Sequence, residues 1–182
     1  MKNFKLLASV LFLSLTVFSC SDDPEPVNEE EVITTMTVTL SASDASSVEL
    51  KYQDLDGDGP NAPVITVSGD LASETVYSGS IVLLNETESP AENITEEVEE
   101  EDDEHQFFFT VGPGLDAAVE YGNFDADLNP LGTEFLLSTG AAGSGSLTFT
   151  LRHEPKKPNN GTLSDAGGET DISASFNLTV TE

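Results

Sequence analysis

The chain carries two histidines, His105 and His153, and their placement suits them to hold a metal ion. His105 opens the apolar run Gln106 to Val111, and His153 follows Gly145 to Arg152, a run that ends in alternating apolar and polar side chains. Alternation with period two marks a half-buried strand. If the two strands are antiparallel neighbours, both imidazoles lie at one end of the sheet, beside Glu101, Glu104 and Glu154. Imidazole nitrogen combined with carboxylate oxygen is a ligand set for zinc and similar transition ions. The competing reading is of two unrelated histidines on a very acidic surface, and strand adjacency decides between them.

A second constellation, Asp54-Leu55-Asp56-Gly57-Asp58-Gly59, puts carboxylates at alternate positions of a loop with glycine at the sixth. Calcium loops use this spacing because alternate side chains converge on one hard cation. The twelfth position is Ile65, where a bidentate glutamate is needed. An EF-hand is therefore excluded, and a weak partial calcium loop at Asp54, Asp56 and Asp58 stands beside a plain solvated turn. Asp125, Asp127 and Asn129 repeat the alternation with Pro130 in place of glycine. From Glu96 to Glu104 every residue but Val98 is acidic. That run is either a solvated loop or a low-affinity cation collector, since crowded carboxylates relieve their repulsion by binding counterions. The chain shows no nucleophile elbow, no paired-histidine zincin helix and no phosphate-cradling glycine loop, and Cys20 is its sole cysteine. A binding or structural role is thus expected, not an enzyme.

The elements that must position these residues are mostly strands. Met36, Val38 and Leu40 alternate with threonines, Val48, Leu50 and Tyr52 form a second such set, and Val64 to Val67 a short third. Leu147, Phe149 and Leu151 alternate with polar residues, as do Ile172, Ala174, Phe176, Leu178 and Val180. Turns rich in glycine and proline separate them, among them Gly112-Pro113-Gly114 and Pro155 to Gly168. The exception is Ser89 to Glu104, where a capping serine, a proline at the next position and the pair Ile94 and Val98 predict one short acidic helix. Leu71, Tyr77, Ile81, Leu83 and Asn85 fall at the spacing of the fibronectin type III stretch that carries a tyrosine corner. That resemblance implies a mainly β, immunoglobulin/fibronectin-III-like antiparallel β-sandwich over residues 32–182, one domain by length.

Charge narrows the partners. With 34 Asp plus Glu against 6 Lys plus Arg, the net charge is -28. Such a polyanion repels phosphate backbones, so nucleic acid is excluded as a partner, and it gathers cations.

The N-terminus gives an address. A basic start, Met1 to Lys5, precedes an apolar run from Leu6 to Phe18 that is too short to span a membrane. Val17-Phe18-Ser19-Cys20 then resembles a bacterial lipobox, which implies a signal peptide over 1–19 and lipidation at Cys20. Residues 20–31, acidic and proline-bearing, read as a lipidated tether. Acidic residues directly after Cys20 also resemble the surface-export signal of Bacteroidota lipoproteins. The whole arrangement resembles a group of small lipoproteins of the Bacteroidota, through Asn93 to Glu101 leading into Glu104-His105-Gln106, Leu151-Arg152-His153 with Pro155 and Lys156, and Gly167 to Asp171. That group is labelled a type 1 periplasmic binding fold, whose long helices the period-two pattern here does not support. The resemblance implies an outer-membrane lipoprotein, on its periplasmic or cell-surface face, connected with metal uptake. Two functions are expected from this: capture of a divalent cation, zinc or calcium, for an outer-membrane transporter, or a structural module that binds a protein or glycan.

Overall fold

The computed structural model describes residues 31–182 apart from Ala45 and Asp58. Cys20, the signal segment and residues 20–30 of the tether lie outside the described residues, as does Asp58 of the calcium-loop candidate.

The chain is mainly β and forms two sheets. Its elements run β1 (Thr35–Ala42), β2 (Ser47–Gln53), β3 (Val64–Val67), β4 (Leu71–Ala72), β5 (Val76–Asn85), β6 (Glu92–Asn93), α1 (Ile94–Glu100), β7 (His105–Val111), β8 (Ala117–Tyr121), β9 (Glu134–Thr139), β10 (Gly143–His153), α2 (Leu163–Ala166) and β11 (Glu169–Thr181). One sheet has the order β3-β2-β1-β5-β9-β8, with β6 beside β5, and the other β4-β11-β10-β7. All pairings are antiparallel except that of β4 with β11, which is parallel and departs from the expected all-antiparallel arrangement.

Period two explains the core. On β1, Met36, Val38 and Leu40 are fully buried; on β10, Leu147, Phe149 and Leu151 are; on β11, Ala174, Phe176, Leu178 and Val180 are buried. These faces meet in one apolar cluster to which both sheets contribute. Burying each such side chain is worth about 1.5–3 kcal/mol, so the inner faces dominate the stability. Aromatic rings stitch the sheets together, Phe135 of β9 lying 5.0 Å from Phe109 of β7 and 5.7 Å from Phe149 of β10. The ring of Phe135 occupies the space over Gly79, the inward position of β5 opposite Leu40, where any Cβ would overlap it. Tyr77 is also buried, and its hydroxyl accepts a hydrogen bond from the Ala72 amide at 2.7 Å.

The helix is shorter than Ser89 to Glu104. It starts at Ile94 with Asn93 at the N-cap, because Glu92 and Asn93 are taken up in pairing with β5. Ile94 and Val98 point into the core, and the Leu83 amide donates to the Thr95 hydroxyl at 2.8 Å. Its last turn carries no basic residue, and the acidic run opposes the negative end of the helix dipole, which accounts for the stop at Glu100. A second helix, α2, adds one turn before β11, so the single expected helix is corrected to two. No helix among the described residues is long and apolar enough to cross a membrane.

Candidate metal centre

β7 and β10 are antiparallel neighbours, and their register sets His153 directly opposite His105. Both histidines continue the inward faces of their strands, beyond Phe107 and Leu151, so the imidazoles stand where the next core side chains would be. His105 is fully buried and His153 is 5 % exposed, with ring centroids 4.7 Å apart.

Two carboxylates reach them from other parts of the fold. Glu31 lies just before β1, and its Oε1 is 2.9 Å from His105 Nε2 while its Oε2 is 3.4 Å from His153 Nδ1. Asp171 sits where the β10–β11 register shifts: Leu151 faces Ile172 but Arg152 faces Thr170, which leaves Asp171 as the extra residue of a bulge. A bulge re-aims a side chain, and Asp171 Oδ1 comes within 3.9 Å of His153 Nδ1. Gly167 and Gly168, both at positive φ, let the start of β11 press against the His153 carbonyl, which a Cβ on Gly168 would strike.

The backbone fixes the tautomer of His105. Its Nδ1 is 3.1 Å from the Glu101 carbonyl, which only accepts, so Nδ1 carries a hydrogen, and in the neutral ring the lone pair is that of Nε2, on the side of the cluster. An outer carbonyl orienting a ligating histidine is a recurrent feature of metal sites. The turn that supplies this carbonyl is itself clamped, because the buried Lys157 ammonium donates to the Asp102 carbonyl and pairs with Asp125 at 3.3 Å.

Glu31 and His105 shift each other's titration. Burial works against the imidazolium of His105, but the hydrogen-bonded Glu31 carboxylate, helped by the Glu101 carbonyl and Asp171, outweighs it and raises its pKa above the ordinary histidine value. Burial likewise works against ionised Glu31, yet His105 and the charge of His153 hold its carboxyl below the usual range. Each of the two thus favours the charged form of the other across their 2.9 Å contact. Glu31 Oε2 and His153 Nδ1 are buried without a hydrogen-bond partner, a cost that coordination would remove.

Glu31, His105, His153 and Asp171 each offer one ligand atom within 4.8 Å of the others, and this buried group can hold a metal ion. Tetrahedral zinc at bond lengths of about 2.0–2.1 Å needs ligand atoms about 3.3 Å apart, so the group must close by roughly an ångström. An open cleft of about 670 Å³ lies beside it, bordered by Glu31, Asp171, Tyr52, Asp54 and Asp56.

Of the ligands named from the sequence, the structure brings His105 and His153 together but gives the others different places. Glu101 contributes its carbonyl and not its carboxylate to the neighbourhood of His105. Glu104 and Glu154 form an exposed group on the outer side of His153. Glu31 and Asp171 are the members of the cluster that sequence reasoning missed, the charge pattern having assigned Glu31 to the tether. Asp54 and Asp56 satisfy their own loop: Asp56 Oδ2 accepts from the Asn61 side chain at 2.7 Å, and the Asp56 amide lies 3.4 Å from Asp54 Oδ1. Asp125 accepts from the amides of Asp127 and Asn129 and pairs with Lys157, so its carboxylate is engaged within the protein.

Comparisons of the chain with protein-family models, with curated proteins and with solved structures return no match. The chemistry must be argued from the cluster itself.

Proposed function

We propose that the protein is a lipid-anchored cell-envelope protein that captures a divalent transition metal, zinc foremost, at Glu31, His105, His153 and Asp171, and delivers it to an outer-membrane transporter. The observation that carries this reading is the meeting of two imidazoles and two carboxylates from four separated segments in one buried place. Evolving an apolar end to the core would have been simpler, because unpaired polar groups are costly there. Two nitrogen and two oxygen ligands suit zinc, whereas calcium takes six to eight oxygens and gains little from imidazole. Four protein ligands also complete a tetrahedral shell and leave no open position for a substrate, which supports binding over catalysis. The envelope address and the transporter rest on the lipobox-like segment at Cys20 and on the likeness to Bacteroidota lipoproteins. In this reading the two sheets form an immunoglobulin-like sandwich, a view that the Tyr77 to Ala72 hydrogen bond supports.

Titration calorimetry of the purified, metal-stripped protein tests it. One zinc per chain is expected, with calcium far weaker. His105→Ala and His153→Ala should each lose more than the roughly 10–100-fold that changes outside the ligand shell cost. Glu101→Ala should be almost silent, since its carbonyl remains. Equal zinc affinity in the wild type and both histidine variants would reject the site.

A further inference from the structure

Among the described residues, His153 is shared by two groups of potential ligands. Its Nδ1 points to Glu31 and Asp171 inside, while its Nε2 points outward to Glu104, with 3.9 Å between Nε2 and Oε2. Glu104, His153 and Glu154 form a second set of potential ligands, each offering an atom within 4.8 Å of the others. Glu104 and Glu154 are exposed, and the Glu154 amide donates to the Glu104 carbonyl at 2.7 Å, which extends the β7–β10 pairing one step beyond the histidines. Acidic side chains alone make no site. Here, however, an imidazole more than nine-tenths buried turns its Nε2 toward Glu104, and at 3.9 Å the two make no direct hydrogen bond.

We propose that Glu104, Glu154 and His153 Nε2 form an outer loading site from which the metal ion passes to the buried centre. The inference rests on the metal-binding reading above. A neutral imidazole has one lone pair to give, because its other nitrogen carries the hydrogen. His153 therefore serves one cluster at a time, and the two sites exclude each other. The outer site has two exposed carboxylates and is open to hydrated ions; the inner one has four ligands out of solvent. Capture happens outside and retention inside. Passage inward requires His153 to present Nδ1: that nitrogen gives up its hydrogen to water, and Nε2 takes one up from water in its place.

Stopped-flow zinc uptake and equilibrium titration on the same purified proteins separate the possibilities. Glu104→Gln with Glu154→Gln should slow association about tenfold, a size in keeping with the loss of local carboxylate steering. Dissociation should slow to match, leaving the affinity within about twofold and the stoichiometry at one, because a transient site lies on the path and not at its end. Glu120→Gln with Glu134→Gln removes the same charge from exposed positions on β8 and β9 and should leave the rate nearly unchanged. Two results overturn the proposal. Weaker affinity with unchanged association would make Glu104 only a positioning residue for His153. Slow uptake in Asp54→Asn with Asp56→Asn, and not in the Glu104 and Glu154 variant, would put the inlet in the cleft instead. A wild type that binds no zinc would reject the metal centre itself, an outcome distinct from both.

Discussion

On the proposed metal-binding reading, the hydrogen bond between Glu31 and His105 gives the chelated and the zinc-loaded protein different pH dependences. His105 has its pKa raised in the fold, so its contribution to stability is fully present below the ordinary histidine value and is lost as pH rises through the raised one. Glu31 has its pKa lowered, so its contribution is present above the ordinary carboxylate value and is lost as pH falls through the depressed one. Between those limits the pair supports the fold, and on the alkaline side of the histidine range the support fades. Zinc needs both imidazoles free of the proton it replaces, so its stabilisation grows as pH rises. Urea denaturation at about pH 6 and about pH 9, either side of the histidine range, should show the chelated protein weakening with pH and the gap between zinc-loaded and chelated protein widening. His105→Ala should abolish the alkaline loss in chelator. A chelated protein equally stable at both pH values would show that this ion pair contributes nothing to the fold.

Strands explain which parts of the centre could be read in the sequence. His105 and His153 were legible because each extends a period-two run, and inward parity along Phe107 or Leu151 carries over to the next alternate residue. Asp171 was not, since counting back from Val180 through Ile172 in steps of two turns Asp171 outward. The bulge adds one residue and reverses that parity, and nothing in side-chain types announces it. Glu31 was hidden in a run of like charges, and the Glu101 carbonyl is a backbone group that no pattern of side chains reveals. Much of the fold was visible in the same alternation, including β1, β2, β3, β10 and β11. The short pairings of β4 and β6 were not, because two-residue strands leave no period to detect. Tyr77 tests whether those minor pairings matter. Its hydroxyl accepts from the Ala72 amide of β4, the strand that edges β11, so Tyr77→Phe leaves that amide without its acceptor. A loss of about 1–3 kcal/mol in urea denaturation is expected. An unchanged midpoint would mean that the Ala72 amide finds another partner and that the hydroxyl does not anchor β4.

At the scale of the whole molecule, a net charge of -28 acts on ions and on membranes in opposite senses. It concentrates hydrated cations around the acidic turn that follows α1 and around Glu104 and Glu154, which would favour the proposed capture at low metal concentration. It also repels anionic headgroups, within a screening length of about 10 Å at 0.1 M salt. A protein of this charge does not stay on a membrane by its own surface, so residence there requires either a covalent anchor or divalent ions bridging carboxylate to lipid. The two differ in what releases them. An anchor at Cys20 holds in high salt and in chelator, since both leave the buried acyl chains untouched, whereas a cation bridge is undone by chelator. Membranes from cells that make the full-length protein should therefore retain it through both washes. Cys20→Ala should move it to the soluble fraction with zinc affinity unchanged, because the ligands of the proposed centre are Glu31, His105, His153 and Asp171. Release of the wild type by chelator alone would replace the anchor with ion bridging, and a Cys20→Ala protein that still partitions into detergent would defeat the assignment of lipidation at Cys20.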